Sequence, residues 1–394
     1  MELTRNDMDM LHGPLSKKLI LFALPIALSS MLQQLFSAAD TAVVGLFGRP
    51  GALAAVGTNT EIVALIVTVS SGLAIGANVL IASRIGKSRT DDLPAIARSV
   101  LLLALAVGLL GAALGQCAVG PLLRLIRTPE DIFSGAALYL RIYLIGYPFL
   151  LLYDFGAAIL RARGDSRSPF FALMLSGIAN VGLNVLLVAV FRLDVAGVAI
   201  ATGISNALSA ALVLRRLHRM GLLAGAARAR WAYIAETLKT GVPSAVQGAV
   251  FCFANIFVQA SVNRFGADAI AGSAIAMNFE YLTYYGITAF GQTATTFTSQ
   301  NYAAGDLARC RKILWLCLAF SAALNLAMIV PVVVFRPFFC GLFSSDPAEL
   351  ACAGVRIGCI LLFEPVCSLY EIPAGVLRGT GRAVLPAADM MVGT

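Results

Sequence analysis

The sequence predicts an all-α integral membrane protein, built as two six-helix bundles that are parallel repeats of one another around a central cleft. Three observations predict it: an apolar composition, apolar runs of bilayer-spanning length, and a motif that returns at a fixed spacing. Of the 394 residues, 59% are hydrophobic and only 13% are charged, against about 25% charged in soluble domains. A chain so poor in charge cannot clothe a water-facing surface.

The apolar runs set the helix count. A helix rising about 1.5 Å per residue needs about 20 residues to cross the hydrocarbon core. Ten full spans are expected, near residues 19–47, 53–83, 95–123, 133–160, 169–191, 195–214, 234–265, 268–298, 313–340 and 351–377. Several are longer than the bilayer is thick, so tilt or projecting ends are expected. The first is too long for a signal-peptide core and reads as a retained span. An eleventh opens near Val384 and stops with the sequence at Thr394.

The formal net charge is +8, which raises nucleic acid as a partner. Its distribution answers otherwise. With a cytoplasmic N-terminus and spans alternating from there, 21 of the 29 Lys and Arg residues fall inside. That asymmetry orients helices in a membrane and requires no nucleic acid. The eight cysteines are scattered, with no CxxC pair or metal spacing, and read as small buried apolar residues. Both histidines, His12 and His218, lie outside the spans. An intramembrane enzyme would need acid–base groups clustered within them, so no enzymatic role and no cofactor are expected.

The repeat is the most specific feature. The segment YDFGAAILRARGDSRSP, Tyr153 to Pro169, returns as YEIPAGVLRGTGRAVLP, Tyr370 to Pro386, at an offset of 217 with six of seventeen positions identical. Nearly the same offset aligns Pro25 with Pro243, and Asn59-Thr60-Glu61 with Asn278-Phe279-Glu280. Six helices per repeat is an even number, so the halves share orientation, as parallel repeats in secondary transporters do. The expected organisation is a bundle at 1–213, a basic cytoplasmic linker at 214–231, and a second bundle at 232–394. Thr394 aligns near Gly177, so the second bundle is expected to be C-terminally truncated, lacking its last two helices. Equal halves would give twelve helices and roughly 45 further residues.

Polar residues inside spans mark candidate sites. An aspartate at the bilayer centre costs roughly 2.5–3.5 kcal/mol on insertion scales, and such residues usually face a cavity or a partner. Asp40 stands seven residues from the outer end of the first span. Asn184 and Thr202 stand equally deep in the fifth and sixth spans, with Asn180 one turn deeper. Helical spacing places Gln33, Ser37 and Asp40 on one stripe, Ser176, Asn180 and Asn184 on another, and Thr202, Asn206 and Ser209 on a third. Together they would line a polar chamber open toward the outer side. Its carboxylate, amide and hydroxyl oxygens suit a hard cation such as Na⁺, and the carboxylate could equally hold a proton. Asparagine and serine stripes also serve as glue between helices. Tyr284, Thr288, Gln292 and Thr295 form a stripe in the eighth span, and Gln33, Ser37, Gln259, Glu280, Tyr284, Thr288 and Gln292 are candidates for the lining of the substrate cleft. Glu61 and Glu280 occupy equivalent positions, a symmetry that also fits a shared structural device. The sequence leaves Glu364 and Glu371 undecided. The loops RARGDSRSP and RGTGR read as cytoplasmic turns whose Arg and Gly serve orientation and tight geometry.

Several signatures resemble the multidrug and toxic compound extrusion (MATE) transporters across essentially the whole chain: Pro25 followed by QQLFSAADTAVVG, then ALAAVG, LRARGDSRSP, NVGLN, AGVAIATGIS, FGADAIAGSAIA and SQNYAAGD. The aspartate in the first helix resembles the bacterial DinF-type branch. The resemblance implies a multi-pass exporter of small organic cations and drugs in the plasma (inner) membrane of a bacterium. It would be a monomer in the lipid bilayer, exchanging substrate for H⁺ or Na⁺. By motif it implies a cation-coupling set of Asp40, Asn180, position 184 and Thr202, with Na⁺ bound there in the Na⁺-coupled case. One position departs: that branch usually carries Asp where this chain has Asn184. A single carboxylate is neutralised by one monovalent cation, so strict competition between coupling ion and cationic substrate at Asp40 is expected. A flippase or metabolite exporter of the same superfamily is the alternative.

Overall fold

The computed structural model describes residues 8–49, 51–223, 228–344 and 346–393, so the middle of the 214–231 linker lies outside the described residues. The first half comprises α1 (Leu15–Phe47), α2 (Ala52–Thr58), α3 (Thr60–Gly86), α4 (Leu93–Leu125), α5 (Glu130–Ile145), α6 (Tyr147–Ala162), α7 (Arg167–Asn184) and α8 (Asp194–Arg219). The second comprises α9 (Trp231–Val262), α10 (Ala267–Ala303), α11 (Leu307–Val334), α12 (Arg336–Gly341), α13 (Pro347–Cys359), α14 (Cys367–Gly379) and α15 (Val384–Gly393). No strand occurs among the described residues.

Eight described segments are long and apolar enough to cross a bilayer, nine if α5 and α6 count as one span. The expected ten are corrected at two places. The run at 133–160 is not one straight helix but bends by 45° at Gly146, between α5 and α6. The run at 268–298 is the helix α10, yet it is too polar to rank with the others. Its polarity is tolerated because Thr293, Thr296, Ser299, Gln300 and Asn301 are buried and hydrogen-bonded within the protein. A polar group facing protein rather than lipid keeps its partners.

The repeat is visible in the geometry. Tyr153 donates its hydroxyl to the Pro169 carbonyl at 3.3 Å, and Tyr370 donates to Pro386 at 3.2 Å. Gly164 and Gly381, again 217 apart, both turn with positive φ, +96° and +83°. A side chain is strained in that region, which explains glycine at both turns.

At the turn after α6 the halves diverge, because Asp165 stands where the second half has Arg382. Asp165 is fully buried and accepts from the Ser168 backbone N–H at 2.9 Å, the Ser168 hydroxyl at 2.6 Å and the Arg216 guanidinium at 3.2 Å. The turn is therefore a cross-link between α6, α7 and α8, and not merely a basic orientation signal. Removing one partner of a buried pair costs about 3–5 kcal/mol, the lower end applying where the other charge keeps some water. The Arg216 side chain is 28% exposed, so Asp165→Ala is expected to sit at that lower end. Thermal unfolding in detergent checks it; a melting temperature equal to the parent's would contradict the cross-link.

Neither half keeps its core to itself. The first part of α1, from Leu15 to Ala27, packs with Phe290, Phe297, Ile313 and Ile372 of the second half. Its far end, at Val43 and Val44, packs with Tyr139, Leu140 and Val198 of the first. Tyr233 of α9, the repeat equivalent of α1, packs into the first half's core in the same way. Hydrogen bonds between the halves concentrate at the end that holds Met10, Lys18, Arg84 and Arg309, here termed the basic end. There Arg84 pairs with Glu236 at 2.6 Å, Ser299 donates to Val79 O at 2.9 Å, and Gln300 donates to Ala162 O at 2.7 Å. Asn301 and Arg309 both hold Met10 O. Asp40 lies toward the opposite end, where Tyr285 donates to Gln34 at 2.9 Å.

The cysteines divide by environment. Cys310, Cys317 and Cys340 are buried, as their reading as small core residues requires, but Cys117, Cys359 and Cys367 are exposed.

Candidate cation site

Three helices of the first half converge on Asp40. Asp40 projects from the last two turns of α1, beyond the interior Pro25. Asn184 closes α7, where the helix passes into a π-helical turn at Val185–Val190. Such turns in membrane helices often lie at functional positions. Thr202 lies two turns into α8. The Asn184 amide donates to Asp40 Oδ1 and, at 3.2 Å, to Asn180 Oδ1. Thr202 Oγ1 lies 3.4 Å from Asp40 Oδ2 while donating to Val198 O at 3.0 Å. Asn180 and Asn184 are buried.

The apolar packing of this end, with Val43, Val44, Tyr139, Tyr143 and Val198 in one cluster, keeps the dielectric low and charge interactions strong. The oxygens gathered here are the Asp40 carboxylate, Asn180 Oδ1, Asn184 Oδ1 and Thr202 Oγ1. Asn184 Oδ1 is buried with no hydrogen-bond partner, an acceptor that a cation or a proton donor would satisfy. All are hard oxygen ligands, the class that alkali and alkaline-earth ions take. Among the described residues no cluster of three His, Cys, Asp or Glu side chains suits a transition metal.

The deeper members of the stripes bond to backbone. Ser176 and Ser209 each donate to a carbonyl on their own helix. Ser205, which helical spacing had not singled out, donates across to Ser176 O at 2.9 Å and ties α8 to α7.

The candidate cleft residues are not gathered around Asp40. Gln33 and Ser37 are exposed, and neither side chain makes a hydrogen bond among the described residues. Their neighbour Gln34 does, and it lines a 210 Å³ groove with Met31, Leu35, Ala38, Leu282 and Tyr285. Gln34 lies one residue off the stripe that Asp40 defines, so helical spacing from Asp40 passed it over. Glu280 is clasped by Arg356, Oε1 to Nε at 2.7 Å and Oε2 to Nη2 at 2.8 Å. Its repeat equivalent Glu61 is exposed, so the two acids do different things. Tyr284 stacks on Phe251 at 5.6 Å, Thr288 donates to Tyr285 O on its own helix, and Gln259 is half-buried. Gln292 accepts from Arg161 of the first half at 3.1 Å. Glu371 pairs with Arg378, and Glu364 is buried in the turn before α14.

A family model described as MatE matches residues 25–186 and 243–394. The chain belongs to the MatE family. The two matched segments open at Pro25 and Pro243, so the family unit occurs twice and coincides with the internal repeat. This MatE chain is 28% identical over 380 residues to a probable multidrug resistance protein, YpnP, of Bacillus subtilis, covering 95% of the chain and 84% of the relative. It is 26% identical over 389 residues to an FAD transporter of Shewanella oneidensis, covering 93% and 85%. Its fold matches that of a MOP superfamily transporter from Pyrococcus furiosus, for which reverse polarity of the binding pocket suggests a different function. That match has a TM-score of 0.90 at 20% identity and covers 99% of this chain and 88% of the other. The fold of two packed helical halves is therefore shared across nearly all of this chain, and the chain is a multi-pass membrane transporter.

Proposed function

We propose that the protein is a secondary active antiporter that exports small organic cations in exchange for H⁺ or Na⁺, with Asp40 as the coupling carboxylate. The observation that carries this reading is the convergence of Asp40, Asn180, Asn184 and Thr202 from three helices of one half. The relative named as a probable multidrug resistance protein supports the substrate class. In this reading the DinF-type aspartate works alone, because Asn184 replaces a second acid, and one bound ion neutralises the site. Ion and cationic substrate then compete for Asp40. The bundles at 1–213 and 232–394 move about the 214–231 linker. The protein acts as a monomer in the bacterial inner membrane with its N-terminus in the cytoplasm. It needs no cofactor, no nucleic acid and no catalytic group.

Proteoliposomes holding the full-length protein test this. A cationic dye is expected to accumulate against its own gradient only while an opposing H⁺ or Na⁺ gradient is imposed, and to stop when an ionophore collapses it. Simple equilibration of the dye without a gradient would mean a passive pore instead.

The FAD transporter relative favours a second reading, export of an anionic metabolite such as a flavin nucleotide. Uphill flavin nucleotide transport with no dye transport would support it.

A further inference from the structure

Two acid–base pairs sit at repeat-equivalent places and behave differently. Asp154 and Arg161 on α6 correspond at the 217 offset to Glu371 and Arg378 on α14. Each pair is seven residues apart, two turns along one face of its helix. In the second half the pair is closed, with Arg378 Nη2 2.5 Å from Glu371 Oε1 and both side chains largely buried. In the first half it is open. Arg161 Nη1 donates instead to Gln292 Oε1 on α10, 3.1 Å away in the opposite half. Asp154 Oδ2 and Arg161 Nε are both buried without a hydrogen-bond partner.

The asymmetry has a cause in the sequence. The residues of α3 that correspond to Gln292 are Ile75 at an offset of 217 and Leu73 at 219. Neither can accept a hydrogen bond, so Arg378 finds no side-chain acceptor at that place in the opposite half and folds onto Glu371. Arg161 does find one, and leaves Asp154 alone. Both pairs meet at α10, since a Cβ on Gly291, the residue before Gln292, would lie 3.0 Å from Glu371 Oε1.

A buried carboxylate oxygen left without a partner is costly, and an ion-paired hydrogen bond is roughly twice as strong as a neutral one. Only the neutral amide of Gln292, in the other half, holds Arg161 away from its own aspartate. Separation of the halves at the basic end would withdraw Gln292 with α10, and Arg161 would close onto Asp154 as Arg378 has closed onto Glu371.

We propose that Arg161 is a two-position latch of the transport cycle, bonded to Gln292 while the halves are joined at the basic end and to Asp154 once they part. Gln292 thus stabilises the joined state and Asp154 the parted one. Arg161 is a positioning residue that holds no substrate. The latch deepens the antiporter reading, but the distance distributions that decide it need neither substrate nor gradient.

The test places spin labels, carried on noncanonical residues, at the exposed repeat-equivalent positions Arg167 and Val384 of the full chain in lipid nanodiscs. Distance distributions then report joined and parted populations. Gln292→Leu is expected to shift the ratio toward the parted state by about threefold or more, the scale of one neutral hydrogen bond. Asp154→Asn is expected to shift it toward the joined state by about tenfold, the scale of a charged one. Its turnover should fall while apparent substrate affinity stays within about twofold, as for an interaction made only on the way across. The double variant should lie between the two. Unchanged distributions in both single variants, or shifts in the same direction, would overturn the latch. So would a loss of folded protein with no redistribution, which is what a purely structural pair predicts. Failure of uphill transport in the parent, with the distance shifts intact, would instead count against the antiporter reading and leave the latch standing.

Discussion

Asp40→Asn is expected to uncouple the protein. The substitution keeps the shape of the side chain and its capacity to hydrogen-bond with Asn184 and Thr202, but removes the charge that an ion or a cationic substrate would neutralise. With asparagine at 184 as well, no carboxylate remains among the four clustered residues. Coupling free energies between two binding events run about 1–3 kcal/mol, so roughly a 5–150-fold effect of the driving ion on substrate affinity is the scale at stake. Binding of a cationic dye to the parent should weaken as Na⁺ or H⁺ rises. The variant's weaker binding should no longer respond to either, and dye accumulation against a gradient should vanish. Ion-dependent binding that survives in Asp40→Asn would move the coupling site elsewhere. Asn184→Asp is the converse test: a second acid is expected to relax the competition, because one bound monovalent ion no longer neutralises the site.

Gly76→Val is expected to be strongly destabilising although it lies outside that site. α3 of the first half crosses α9 of the second so closely that a Cβ on Gly76 would lie 2.1 Å from the Thr237 carbonyl oxygen and 2.8 Å from the Gly241 nitrogen. One turn away, a Cβ on Gly72 would lie 2.5 Å from Ala245 Cα. Small residues four apart let two membrane helices bring their backbones together. The atoms met here are backbone and cannot rotate aside. Overpacking typically costs about 1–3 kcal/mol and sometimes more; Gly76→Val belongs at or above the top of that range, since relief means separating the halves. A drop in melting temperature in detergent, together with lost monodispersity, would show it. Gly182→Ala is the control, because a Cβ there meets nothing within 4 Å. Equal stability of the two variants would mean that the crossing yields more easily than its geometry implies.

The candidate site was legible because its residues are short and each lies on a regular helix. Depth counted from a helix end is a sound guide when the rise per residue is constant, and Asp40, Asn184 and Thr202 do meet. The cleft residues were less legible. Gln33 and Ser37 share a stripe with Asp40, yet the contact to the opposite half belongs to Gln34, and the rotation of α1 against α10 is set by how the halves pack. Periodicity specifies the faces of a helix but not which face a distant helix will occupy.

The sequence by itself determined that this is a helical membrane protein made of two like halves, with one carboxylate among the amides and hydroxyls near one end. Composition, span length and repeat are properties of one dimension, and the bilayer leaves few folds able to satisfy them. Only the tertiary structure decided how the repeated residues are used. Asp154–Arg161 and Glu371–Arg378 are nearly the same in sequence, yet one is open and one closed. An arginine is long enough to choose among partners, and the choice turns on whether the opposite half offers Gln292 or an aliphatic side chain. The same holds for α1 and α9, whose first turns pack in the other half's core. That exchange joins the halves at the basic end, and it could be seen only once both were in place.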